Sequence, residues 1–280
     1  MRMKKDWLLQ RELNRMQRKE NKKLLREADR TQPGPVERLG KKVEQHLPSQ
    51  GVAAAEAAFQ KGFGMLFEQG LPLVEKTAGG EKRRLWGREN ARQLEQEPSL
   101  SRLKEMDRQA RGAMTQNQAV TLAEGGGLGL LGVGIPDIPL FLGMMLRTLC
   151  QIGASYGFDF QSPGERLYLL SLIRLSVSKG KERLTAAQET DRLAHWLDGE
   201  GAPPQEAEQE SIARTSHLLA GQITSLKLLQ GVPVVGVLGG AANLNILTAL
   251  GETARLKYRQ RRLRLLQNGK GAAEGASSCP

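Results

Sequence analysis

The chain has 280 residues and carries 41 Lys+Arg against 30 Asp+Glu, a net charge of +11. That length can bury a sizeable core, and an apolar share of 39%, counted without the 32 glycines, excludes a wholly disordered polymer. Two cysteines (Cys150, Cys279) and three scattered histidines (His46, His195, His217) exclude a disulfide scaffold and a zinc module.

At the N-terminus Leu9, Leu13 and Met16 recur at helical spacing, with Trp7 beside them and Lys/Arg at many of the other positions. The pattern predicts a basic amphipathic helix able to lie on a bilayer or on a partner. The segment has neither the continuous apolar stretch nor the cleavage site of a signal peptide, so the chain is expected in the cytoplasm. Residues 31–35, TQPGP, form a breaker, and residues 1–30 read as a separate basic extension. Val36, Leu39, Val43 and Leu47 then mark a short helix ending at Pro48. Residues 52–68 predict a small-residue helix in which Ala57, Lys61 and Gly64 permit close packing. The charged stretch 79–97 reads as an exposed helix or loop, and Leu100, Leu103, Met106 and Ala110 mark a further helix.

Composition changes sharply at residue 125. Residues 125–158 hold only two charges, Asp137 and Arg147, and residues 228–251 hold none. Gly125 and Gly129, then Gly236 and Gly240, are small-xxx-small pairs that bring glycine to one helix face and allow close backbone approach. Asp137, between Pro136 and Pro139, argues against a simple membrane span and fits an N-cap of the following helix. The expectation is a hydrophobic hairpin packed within the protein. Ser162-Pro163-Gly164-Glu165 predicts a capped helix start, and residues 199–209 a flexible connector. No period-2 strand pattern occurs. The predicted fold is all-α, a compact multi-helix domain with two glycine-rich hydrophobic segments and a basic N-terminal helix.

Charge is unevenly placed. Residues 1–30 and residues 251–270 each carry a net +6, whereas residues 31–250 are neutral. Polybasic segments are attracted to phosphate-rich surfaces, at about 1 kcal/mol per Lys/Arg near a membrane. Lys4, Lys5, Arg11, Arg15, Arg18, Arg259, Arg261 and Arg262 are therefore the expected contacts to anionic headgroups. Glu124, Asp137, Arg147 and Asn243 adjoin or interrupt the apolar segments. They are expected in structural roles, with Arg147 meeting an acid or carbonyls from another element; a polar pocket between the glycine-rich helices is the alternative. The glycine run 125–134 lacks the strand and the Lys-Ser/Thr pair of a nucleotide loop. No catalytic residue, metal site or cofactor is indicated.

Two blocks resemble the bacterial EcsC family. In residues 122–173, LAEGGGLGLLGVGIPDIPLFLGMMLRTLCQIGASYGFDFQSPGERLYLLSLI, the likeness rests on Glu124-Gly125, Asp137, Pro139, Arg147, Tyr156-Gly157, Pro163 and Glu165-Arg166. In residues 231–263, GVPVVGVLGGAANLNILTALGETARLKYRQRRL, it rests on Pro233, Gly236, Asn243, Ala254, Tyr258 and Arg261. The resemblance covers residues 36–266 and leaves residues 1–30 and a disordered tail, 267–280, outside it. It implies a helical protein associated with membranes, membrane transport or secretion, because the family takes its name from an operon that also encodes an ABC transporter. No catalytic residue transfers with it.

Taken together, these readings favour a non-enzymatic protein peripheral at the inner membrane, with anionic lipids or a membrane protein complex such as an ABC transporter as partner. An enzyme or small-lipid binder using the polar residues, and nucleic-acid binding through the basic ends, are the alternatives. The last lacks a reading helix and stacking aromatics.

Overall fold

The computed structural model describes residues 2–29, 49–70, 80–130, 138–160, 162–229 and 237–276, with side chains over 7–29, 51–68, 80–119, 138–160, 162–223 and 244–268. All regular structure among them is helical, as the sequence pattern predicts. The helices are α1 (Arg2–Ala28), α2 (Ser49–Met65, continued by a wider π turn at Leu66–Gly70) and α3 (Gly80–Gln96). Then come α4 (Leu100–Leu130), α5 (Ile138–Ser155) and α6 (Pro163–Val177). The chain continues with α7 (Gly180–Leu197), α8 (Glu208–Leu229) and α9 (Val237–Ala276). The expected helix at residues 36–47 lies outside the described residues. The tail expected to be disordered from residue 267 is instead helical to Ala276, an alanine-containing continuation of α9.

α5 packs against α2, α3, α4 and α9. From Phe141 to Ser155 every residue except Gly143 and Arg147 is buried. Among the described helices it alone is long and apolar enough to cross a membrane, but 72% of it is buried inside the protein. Helices on all sides of it explain its near-continuous apolar sequence without lipid. α6 is similarly enclosed by α7, α8 and α9. Its start is the predicted one: Ser162 Oγ accepts from the Glu165 backbone N–H at 3.2 Å, and Pro163 occupies a position where no donor is needed.

Two stretches depart in part from the sequence reading. Residues 80–96 are the helix of the two forms expected, largely exposed but not solvated all round, because Gly87, Ala91 and Leu94 recur on one face of α3 and are buried against α5. A stripe this narrow is hidden in sequence by the charges on the other faces. α1 is likewise not a free extension: Leu9, Leu13 and Leu24 are buried, and the helix packs on α7 and α9.

Close backbone approach occurs at glycines other than the predicted pairs. A Cβ at Gly87 would overlap the Ala154 carbonyl, while one at Gly64 would meet nothing within 4 Å; the tight position in α2 is Gly62, against Leu142. Gly157, at φ +80°, ends α5 by a Schellman turn in which Phe158 N donates to Gly153 O and Gly157 N to Ala154 O. The same pattern ends α7 at Gly199, φ +88°, with Glu200 N donating to His195 O and Gly199 N to Trp196 O. These two turns aim Phe158 and Asp198 at α9.

A Gly87→Ala chain should lose at least about 3 kcal/mol of stability or fail to fold, because backbone rather than a movable side chain fills the space. Gly112→Ala, at an exposed helix position with open space, should gain about 0.5–1 kcal/mol. Urea denaturation of both variants checks the pair.

Candidate functional site

The densest convergence of charged side chains is around α9. Along a helix, positions i, i+4 and i+7 share a face, and a two-residue step turns 200°. Arg255, Arg259 and Arg262 therefore form one stripe, and Lys257, Arg261 and Arg264 another on the opposite side. The helix is buried on both. In the first stripe Arg255 lies 3.3 Å from Asp107, and Arg259 reaches Glu12 at 3.1 Å and Asp107 at 3.9 Å. Arg262 donates to the Tyr156 carbonyl at 2.9 Å and to Glu95 at 2.8 Å. The Tyr156 hydroxyl donates to Asp107 at 2.8 Å.

In the second stripe Lys257 Nζ sits 2.8 Å from both Glu20 and Asp191. Arg261 donates from Nη1 and Nη2 to the two oxygens of Glu165 at 3.0 and 2.7 Å, and from Nε to Asp198 at 2.7 Å. Arg264 lies 4.0 Å from Asp198. The Arg261 guanidinium also lies over Phe158 and Tyr168, 4.5 and 4.9 Å from their ring centroids, and Tyr258 meets Tyr168 edge-on. The acids come from α1, α3, α4, α6, α7 and the turn after α7.

Burial sets the electrostatics of this network. It pushes the Glu165 carboxyl up against the pull of the Arg261 hydrogen bonds and charge, and pushes Asp198 up in the same way. For Arg261 burial works against the charged form, but Glu165 and Asp198 outweigh it and its pKa is raised. Burial lowers the pKa of Arg262 despite Glu95. Tyr156 is raised well above the ordinary phenol value, by burial first and then by Asp107. Asp198 Oδ2 and the Nε atoms of Arg259 and Arg264 make no hydrogen bond among the described residues, and the chemistry of the pairs that do form is cohesion.

Arg259, Arg261 and Arg262 were expected at a membrane surface. The structure corrects this: Arg261 and Arg262 are 3% and 4% exposed, and all three are paired with acids from other helices. Their high local charge reflects acids brought from distant sequence, which a count over residues 251–270 leaves out.

The outer side of α1 is different. Glu12, Glu20 and Glu27 turn inward to Arg259, Lys257 and Arg183, alongside Leu9, Leu13 and Leu24. Arg11, Arg15, Arg18, Lys19, Lys22, Lys23 and Arg26 are exposed, as are Trp7, Leu8 and Leu25. Arg11 lies 5.2 Å from the Trp7 ring centroid, and Trp7, Gln10, Arg11, Asn14, Arg15 and Arg18 line an open hollow of about 480 Å³. Lys4 and Lys5 belong to α1, but their side chains lie outside the described residues.

Of the four polar candidates, the described side chains include only Arg147. Glu124 and Asn243 lie in α4 and α9 with side chains outside the described residues, and Asp137 lies outside them altogether. Their convergence is therefore not described. The packing of Gly125, Gly129 and Gly240 and the whole of Gly236 also lie outside. Arg147, expected to meet an acid or carbonyls from another element, has its Nε buried with no hydrogen-bond partner among the described residues, and its charge bears on Arg83 of α3. Glu12, Glu20, Glu95, Asp107, Asp191 and Asp198 escaped the sequence reading, since pairs such as Glu12–Arg259 have no spacing rule. Among the described residues no group of three or more His, Cys, Asp or Glu could hold a metal ion.

The model of the EcsC protein family matches residues 9–263, beginning inside α1 rather than after the breaker at 31–35. The chain is 30% identical over 199 residues to Protein EcsC of Bacillus subtilis (strain 168), covering 69% of this chain and 75% of the relative. It is 30% identical over 164 residues to the same organism's Uncharacterized protein YdbA, covering 56% of this chain and 58% of that protein. No solved structure matches the chain.

Arg261→Ala should cost about 3–5 kcal/mol, because it leaves Glu165 and Asp198 buried without their shared cation. Arg108→Ala, which breaks the solvated Arg108–Glu105 pair on α4, should leave the urea midpoint unchanged. Equal effects of the two variants would contradict the buried-network account.

Proposed function

The chain belongs to the EcsC protein family, and we propose that it is a non-enzymatic protein held peripherally on the anionic cytoplasmic face of a membrane by the outer side of α1. The observation that carries this reading is the division of charge across α1. Its three inward glutamates are engaged with the body; Glu12 also lies 3.7 Å from Arg15, which leaves most outward cations with few acids of their own helix to neutralise them. Successive cations at 11, 15, 18, 22 and 26 stay on one side of the helix, at spacings of three and four residues. Exposed Trp7 and Leu8 at one end and Leu25 near the other add apolar surface suited to the headgroup boundary.

A helix already anchored to its own protein through Leu9, Leu13 and buried ion pairs presents this stripe without an ordering cost at the moment of binding. The membrane contact is interfacial rather than spanning, and a partner complex in the same membrane, such as a transporter, would meet the protein there.

The full chain should sediment with phosphatidylglycerol vesicles at low salt and be released as salt rises, because exposed charges are screened. Replacing Arg11, Arg15 and Arg18 by Glu should weaken binding at least about 100-fold, at roughly 1 kcal/mol for each cation lost. A charge-matched control, Lys82, Lys104 and Arg192 all changed to Glu on other exposed surfaces, should retain binding. Equal loss in both triple variants would reduce the effect to net charge and sink the proposal.

A further inference from the structure

Two further cations, Arg83 and Arg147, are half-buried rather than exposed like those of α1, and among the described residues no carboxylate lies within ion-pair distance of either. On α3, Arg83 precedes Gly87, Ala91 and Leu94 at helical spacing and so shares their face, which packs on α5. On α5, Arg147 lies two turns before Ala154, the residue whose carbonyl Gly87 approaches, and so shares the matching face. Gly87 meets Ala154 and Ala91 meets Gly157, so the two helices run the same way along this seam, and Arg83 and Arg147 lie within about a turn of each other.

Both side chains are half-buried, and Arg83 Nη1 and Arg147 Nε are enclosed without a hydrogen-bond partner. One turn along α5, the buried Gln151 also holds its Nε2 without a partner. One turn the other way, a Cβ added at Gly143 would meet nothing within 4 Å, so open space adjoins Arg147. Arg83 lies at the start of α3, where free backbone N–H groups add positive potential rather than relieve it. Burial lowers the Arg83 pKa first, and the nearby charge of Arg147 lowers it further.

We propose that Arg83 and Arg147 form a binding site for a phosphate group at the α3–α5 seam. Two planar guanidinium forks suit a tetrahedral oxyanion with several acceptor oxygens, and a doubly charged phosphate monoester would remove the repulsion between them. The group comes either from a soluble phosphate or from a lipid headgroup such as that of phosphatidic acid. This site is separate from the α1 stripe and does not depend on the membrane reading.

Thermal unfolding of the full chain is the test, with millimolar inorganic phosphate against chloride at constant ionic strength, so that general screening is matched. Phosphate should raise the Tm by roughly 2–4 °C beyond chloride at saturation. Arg83→Gln and Arg147→Gln should each abolish that difference while unfolding, without phosphate, at or above the parent Tm, since each relieves repulsion. The Arg11, Arg15, Arg18 to Glu variant should keep the full shift, which separates this site from the α1 contact. A larger shift with soluble short-chain phosphatidic acid than with inorganic phosphate assigns the group to a lipid; the reverse assigns it to a soluble ester. No phosphate-specific shift, a shift retained in both glutamine variants, or glutamine variants that unfold well below the parent would each overturn the proposal. The last outcome would mean that the arginines are paired structurally, for example by Glu124 or Asp137.

Discussion

A helix that carries six cations within ten residues, Arg255 to Arg264, runs through the interior of this protein, and the remaining helices supply acids to meet it. Placing a cation inside protein costs several kcal/mol per ion even after relaxation, and only close, well-hydrogen-bonded partners offset that. Lys257 has two carboxylates at 2.8 Å, and Arg261 uses three of its nitrogens on two acids. Apolar residues of similar size could stabilise such a core as well. What the charges add is position: rotating α9 by one residue, or sliding it by a turn, would strand every cation at once. Arrangements that satisfy one pair and break another are disfavoured together, so the network narrows the ways in which α1, α3, α4, α6 and α7 can surround α9.

That constraint reaches α1 and decides what its outer side looks like. Glu12, Glu20 and Glu27 are spent on body cations, and the leucines between them fill the same interface. An amphipathic helix in the ordinary sense has one apolar and one polar face. Here the inward face is apolar and acidic and the outward face basic, so docking separates charge as well as hydrophobicity. The basic outer face is therefore a by-product of the way the core is neutralised. The family match, which begins at residue 9, includes this helix with the body it closes.

Much of the architecture was legible in the sequence. Helical periodicity gave the α-class, Ser162 with Glu165 gave the start of α6, and the helix expected to begin at 137–139 is α5, described from Ile138. Local rules stop where partners lie far apart in the chain. Arg259 finds Glu12 across 247 residues, and no spacing predicts that. Charge summed over a window also treated the two ends alike, although one is a docked helix with an exposed side and the other a buried axis. A sharper signal was present: Arg255 to Arg264 places cations on opposite sides of one helix, leaving no wide apolar face by which it could dock conventionally. A helix without a conventional inside is either fully solvated or enclosed by acids, and the leucines and Tyr258 interspersed among these cations argue for enclosure. In α3 the buried stripe was visible only as Gly87, Ala91 and Leu94, residues too small or too few to stand out among the eight charged residues of the helix.

Pairing then separates the cations of this protein into kinds that composition merges. A guanidinium that meets a carboxylate inside the fold has its charge committed to structure. One exposed on α1 is free to exchange counterions for a phosphate-bearing surface. Arg83 and Arg147 fit neither condition, because they are partly withdrawn from water and the charge of one bears on the other. Solvent relieves such repulsion poorly where burial has lowered the local dielectric response, so the arrangement favours whatever anion can enter. The same desolvation that makes the α9 network demand exact partners makes this seam unusually receptive to one from outside. The two proposed surfaces on this body differ in depth: a broad stripe that would select for charge density, and a narrow pair that would select for the geometry of one phosphate.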